Sequence, residues 1–135
     1  VLISLEEYTR AAQLLESALA SDLRNFGENH PAVAVSQSNL ANVLKSLGDS
    51  ARAAQLFELA LDSDLRNFGE NHPTVAMSQW KLATVYYQID RLDEAKIILE
   101  QALQTVKKSL GVSHPDYIGI VNWLDAVNEK LNPST

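Results

Sequence analysis

Residues 21–31 read SDLRNFGENHP, and residues 63–73 read SDLRNFGENHP again, 42 positions later with no change in eleven residues. Outward from that block, Thr9–Ser50 against Ala51–Leu92 shows identity at 26 of 42 positions, and a worn third copy, LGVSHP, stands at residues 110–115. A fixed period of this length marks an array of small units, each burying its apolar faces only against its neighbours. Function therefore has to be read from the repeat.

The repeated block is itself a helix-to-helix corner. Upstream of it, Leu5, Tyr8, Ala11, Ala12, Leu15, Ala18, Leu19 and Leu23 follow the three- and four-residue spacing of one helical stripe, with Ser4-x-x-Glu7 as a capping box. Gly27 falls where a left-handed C-cap is needed, and Pro31 is a favoured first residue of a helix. A second stripe, Val33, Val35, Leu40, Val43, Leu44 and Leu47, closes at Gly48-Asp49. The same grammar downstream predicts six antiparallel helices near 4–26, 31–47, 50–68, 73–89, 92–110 and 115–131.

Composition agrees with this and excludes several function classes. Apolar residues make up 46% of the chain but aromatics only 7%, as in packed helical proteins. A net charge of −6 argues against a polyanionic partner, so no nucleic acid is expected. No cysteine, no glycosylation sequon and no apolar run long enough for a bilayer are present, which predicts a cytoplasmic chain with no membrane partner. The 135 residues are expected to form a single repeat domain: 1–30 a partial first repeat, 31–72 the second, 73–114 the third, and 115–135 a C-terminal capping helix.

The small and large residues of the two helices resemble the tetratricopeptide repeat. Its Ala/large/Ala set in helix B is matched by Ala11, Leu15, Ala18, by Ala53, Phe57, Ala60 and by Ala95, Leu99, Ala102. Its Leu/Ala pair in helix A is matched by Leu40-Ala41 and Leu82-Ala83, followed by Leu44 and Tyr86. The 42-residue period and the Phe-Gly-Glu-Asn-His-Pro corner are similar to the long-helix variant of kinesin light chains and of many bacterial arrays. Two departures stand out: the family's helix A Trp is replaced by Gln37 and Gln79, and the Pro that usually ends helix B is missing. The resemblance implies an all-α fold, a right-handed solenoid of antiparallel helix pairs.

Both ends carry expectations. Val1-Leu2-Ile3-Ser4-Leu5 aligns one period back with Val43–Leu47, as though the chain began inside a helix A, leaving the Tyr8/Ala11/Leu15 face open to end-to-end self-association. The last helix carries Asp125 and Asn128 where earlier copies have Ala and Leu or Tyr, as suits a terminal cap, and Pro133 ends it near a natural terminus.

His30, His72 and His114 share one register and invite the thought of a metal. A shared ion needs every nitrogen about 2.0–2.1 Å away, whereas equivalent residues of stacked repeats are separated by packed helices. No metal and no cofactor are expected, and His-Pro is read as corner geometry. No Cys nucleophile, phosphate-cradling Gly-rich loop or repeat-breaking His/carboxylate cluster is present, so no catalytic residue is assigned and an enzyme is not expected. Glu16, Glu58 and Glu100, and Arg24, Arg66 and Lys108, recur in register and read as solvated faces.

The informative positions are those where near-identical copies differ. By the resemblance, helix A lines the concave groove. There Ser38, Asn39, Asn42, Lys45 and Ser46 of one copy become Trp80, Lys81, Thr84, Tyr87 and Gln88 of the next, while the Leu/Ala scaffold is kept. The third copy presents Gly119, Asn122, Trp123, Ala126, Glu129 and Lys130. The expectation is a noncatalytic scaffold that binds a peptide segment of a protein partner through Asn39, Asn42, Lys45, Trp80, Lys81, Thr84, Tyr87, Asn122 and Trp123. Aromatic faces would take apolar side chains, amides the peptide backbone, and lysines its acidic residues. Asn39, Asn42 and Asn122 resemble the asparagine-rich helix A face of kinesin light chains. The competing reading of the indoles is plain packing. At the level of the whole chain, the alternatives are a self-associating spacer and the sensor domain of a larger bacterial enzyme or switch protein.

Overall fold

A computed structural model of the chain describes residues 4–133. The expected start inside a helix A rests largely on residues 1–3, outside that range. Six helices occur among the described residues, and no strand: α1 (Leu5–Phe26), α2 (Pro31–Ser46), α3 (Ser50–Phe68), α4 (Pro73–Gln88), α5 (Leu92–Ser109) and α6 (Pro115–Leu131). Each boundary lies within about one residue of that read from the stripes, because every break is set by local chemistry. The described residues group into two compact units, 4–67 and 68–133.

Two corners differ in detail from the sequence reading. Gly27 ends α1 not in the left-handed helical region but at φ 80°, ψ 166°, a mirror-extended conformation open essentially to glycine alone. The histidines do more than precede proline. Each is extended (His30 at φ −82°, ψ 139°), and each Nδ1 accepts a hydrogen bond from the amide two residues on: Ala32 for His30, Thr74 for His72 and Asp116 for His114, all at 3.0 Å. The imidazole is thus the N-cap, satisfying an amide that the helix leaves orphaned, and an accepting Nδ1 leaves the ring proton on Nε2. In the first two copies the ring also stacks on Phe26 or Phe68, with centroids 4.5 and 4.7 Å apart.

The cap can be separated from the stack by substitution. His72→Ala is expected to cost about 1 kcal/mol in urea unfolding, while His72→Asn, which removes the stacked ring but restores an accepting cap, recovers most of it. Equal losses in the two variants would assign the role to the ring contact instead.

In the first unit α1 packs against α2, with Ser36 donating to an Asp22 carboxylate oxygen at 2.5 Å. Arg66, exposed as a solvated face requires, also donates to the Asn29 side chain at the corner, and Asn67 Nδ2 donates to the Asn29 carbonyl at 2.8 Å. Arg52 and Glu16 form a half-exposed ion pair at 2.7 Å, worth on the order of 0.5 kcal/mol. The second unit packs α5 against both α4 and α6, with a lighter α4–α6 contact.

The small/large grammar shows directly in burial. Ala53, Phe57 and Ala60, and Ala95, Leu99 and Ala102, are all at most 1% exposed, as are Leu40 and Ala41. The equivalent Ala11, Leu15 and Ala18 of α1 are half-buried or exposed. Gln37 and Gln79, in the family's Trp position, are buried amides at 5% and 6% exposure. Gln79 Nε2 donates to Gln101 at 3.2 Å, a partner for which the first copy has Leu59. No helix among the described residues is long and apolar enough to cross a membrane.

Candidate functional site

The residues of interest fall in both units, and each unit is described on its own terms. On α2 of the first, Asn39 and Asn42 are exposed, one helical turn apart. Lys45, one turn further, is half-buried, and burial holds its ammonium below the ordinary lysine pKa.

The second unit brings three of the predicted residues together. Tyr87 near the end of α4 and Trp123 in the middle of α6 meet edge to face, with centroids 5.4 Å apart and planes at 84°, the geometry that aromatic quadrupoles favour. With Asn122 and Ala126 they line an open cleft of about 260 Å³. Both rings are half-buried, so each is held by packing and still presents a face. Asn122 is exposed at the rim. Lys130, one turn beyond Ala126, carries its Nζ 4.0 Å above the Tyr87 ring and 3.5 Å from Asp90 Oδ1.

Trp80, Thr84 and Lys81 complete α4 in different ways. Trp80 is half-buried and leans on α6 where Gly119 offers bare backbone: a Cβ there would meet its Cη2 and Cζ2 at 2.6 Å. The competing reading of the indoles as packing residues therefore holds for one face of Trp80. Thr84 is buried at 9% exposure, and its hydroxyl donates to the Lys81 carbonyl at 2.7 Å. Its hydroxyl is thus turned to its own helix, where a groove contact had been expected. Lys81 is exposed.

Sequence reasoning did not single out Asp90, and it named Gly119 and Lys130 among the groove positions of the third copy without the contacts they make. The signals were present in the register: Asp90 stands where the previous copy has Gly48, and Gly119 where it has Met77. Each exchange changes what the backbone tolerates, which a search for chemical groups does not weigh.

Comparison with known proteins gives the fold a wider setting. Two sequence profiles, both of the tetratricopeptide repeat, match residues 1–66 and 75–116. No curated protein matches. Among solved structures, a variant of the nearly identical TPR-like repeats of a Podosopora anserina protein named for kinesin light chain superposes with a TM-score of 0.79 at 26% identity, over 92% of this chain and 58% of that one. BtubC (BKLC) from P. vanneervenii superposes at 0.82 with 23% identity, over 94% of this chain and 50% of that one. A second structure of the Podosopora anserina repeats gives 0.72 and 23%, over 96% and 71%. The chain thus spans little more than half the length of the first two.

Proposed function

The chain belongs to the tetratricopeptide repeat family, with kinesin light chain-like repeats, and we propose that it holds a peptide segment of a partner protein on its helix A face, with the Tyr87–Trp123 cleft as the anchor. The family's repeats generally mediate contacts between proteins, and the likeness to known arrays extends over most of this chain. The reading rests on the cleft itself: two aromatic rings fixed edge to face, half-buried yet open, beside an amide and the Lys130 ammonium.

An apolar side chain entering the cleft would release water from both rings, as at the desolvated centre of a protein interface. Asn122 at the rim can donate to and accept from a peptide main chain. Lys130, over the Tyr87 ring, sets positive charge at the cleft of a chain that is net negative, which favours an acidic residue next to the apolar one, and Lys81 adds an exposed ammonium on α4. Asn39 and Asn42, exposed on α2, offer the same amide chemistry, with Lys45 behind them.

The test is a display selection of random dodecapeptides on the full chain. Enriched sequences should pair an apolar or aromatic residue with an acidic one. Their affinity should fall about thirtyfold in a Tyr87→Ala, Trp123→Ala variant of unchanged helicity, the effect of losing a ~2 kcal/mol anchor. Peptides that bind the variant as well as the parent, or no enrichment at all, would remove the cleft assignment. That outcome would favour the self-associating spacer, for which the supporting observation is the apolar exposure of α1, with Leu5 at 70% and Leu14 at 67%.

A further inference from the structure

Among the described residues Asp90 is the one non-glycine residue with positive φ, at 60°, while Gly27, Gly48, Gly69 and Gly111 take the other such positions. Its setting is a Schellman C-cap. The amide of Arg91 donates to the Tyr86 carbonyl at 2.8 Å and that of Asp90 to the Tyr87 carbonyl at 3.3 Å, so Asp90 holds the C′ position that glycine normally fills. One period earlier the same cap is built with Gly48: Asp49 donates to Leu44 and Gly48 to Lys45.

Aspartate breaks two local rules here. A side chain with a Cβ is less favourable than glycine in the left-handed region, although Asp and Asn tolerate it best, and a carboxylate at a helix C-terminus opposes the helix dipole. The return inside the chain is small: the Asp90 carboxylate sits 3.5 Å from Lys130 with its own side chain 78% exposed, and exposed pairs contribute little to stability. Residues that break a local rule without a matching structural gain tend to lie at functional sites. Here the contact Asp90 makes leads directly to the cleft, because the Lys130 ammonium it touches lies above the Tyr87 ring.

We infer that Asp90 is a built-in competitor for the acidic residue of the bound peptide. In the free chain it parks the Lys130 ammonium over Tyr87. On binding, a peptide carboxylate replaces Asp90 at Lys130 while the neighbouring apolar side chain enters between Tyr87 and Trp123. Asp90 thereby lowers affinity for acidic sequences in general and leaves the site to peptides that also fill the cleft. The inference rests on the peptide-binding reading above and adds its regulation.

The experiment uses the full chain and the acidic dodecapeptides recovered by display, each beside a twin with Asp and Glu replaced by Asn and Gln. Asp90→Gly should raise affinity for the acidic peptide roughly two- to fivefold, the scale of one exposed ion pair, and leave the neutral twin unchanged. Adding Lys130→Ala should abolish the gain, and Asp90→Asn, which keeps a residue tolerant of the left-handed region, should reproduce it. A second readout needs no peptide: an amine held by a carboxylate acylates slowly, so Lys130 labelling by N-hydroxysuccinimidyl acetate should quicken in Asp90→Gly. Equal affinity of parent and Asp90→Gly for acidic peptides that still require Tyr87 and Trp123 would overturn the competitor and spare the groove. An unchanged labelling rate would overturn it too. Failure to recover any peptide that needs the cleft would bring down the groove reading and this inference with it.

Discussion

Phe57→Ala is expected to lower the unfolding free energy by about 3–5 kcal/mol, a large loss for a single side chain. Phe57 is the largest side chain among those that are fully buried, at 1% exposure, and Ala53 and Ala60 on either side of it are at 0%. Small neighbours of this kind let helices approach closely, which leaves little slack to collapse into the void, so the cavity term adds to the lost transfer energy. Leu15→Ala provides the control. It removes the equivalent residue of α1, which is only half-buried, and should cost well under half as much. Chemical denaturation of both variants checks this; equal losses would mean that α1 has a covering the described residues do not show.

The second large effect is expected at a position with no side chain. Gly119→Ala would place a methyl carbon 2.6 Å from Cη2 and Cζ2 of Trp80, closer than atoms in proteins sit, and the obstacle is a ring wedged between α4 and α6. Either α6 moves away from α4 or the indole turns off its rotamer, at about 1–3 kcal/mol. Trp80 and Trp123 are the two tryptophans of the chain, so tryptophan emission in a Trp123→Phe background reports on Trp80 alone. Gly119→Ala should shift that emission to longer wavelength as the indole gains water. The same displacement moves Asn122 and Trp123, one turn further along α6, and should weaken any peptide bound in the cleft. An unshifted spectrum with parental stability would show that the seat has room to yield.

How much of this was legible in the sequence depended on the kind of constraint. The helices were readable because Gly27 and Pro31, with their register equivalents, and Gly48 each impose a backbone state on themselves, so these boundaries are local. The buried triplets were readable because Ala, Leu and Phe recur at one spacing. The contacts of Arg66 and Asn67 with Asn29 were not, since they join residues 37 and 38 positions apart and depend on where two helix ends land. The histidine caps escaped because the pre-proline geometry already accounted for the residue, and nothing in the spacing says which way an imidazole nitrogen points. At the candidate site, divergence between copies pointed to helix A positions but treated every differing residue alike. Thr84 differs from Asn42 by turning inward, and Tyr87 and Trp123 differ from Lys45 and Asn39 by meeting each other. Only coordinates separate these.

The uneven cover of the three helix B triplets bears on how the array comes apart. Copies this alike in sequence have nearly the same intrinsic helix propensity, so differences in local opening must come from the packing around them. Ala53/Phe57/Ala60 and Ala95/Leu99/Ala102 lie within closed packing, whereas Ala11/Leu15/Ala18 do not. α1 is therefore expected to exchange its amide protons faster than α3, which hydrogen exchange on the full chain checks. Two stretches that share eleven consecutive residues would then open at different free energies.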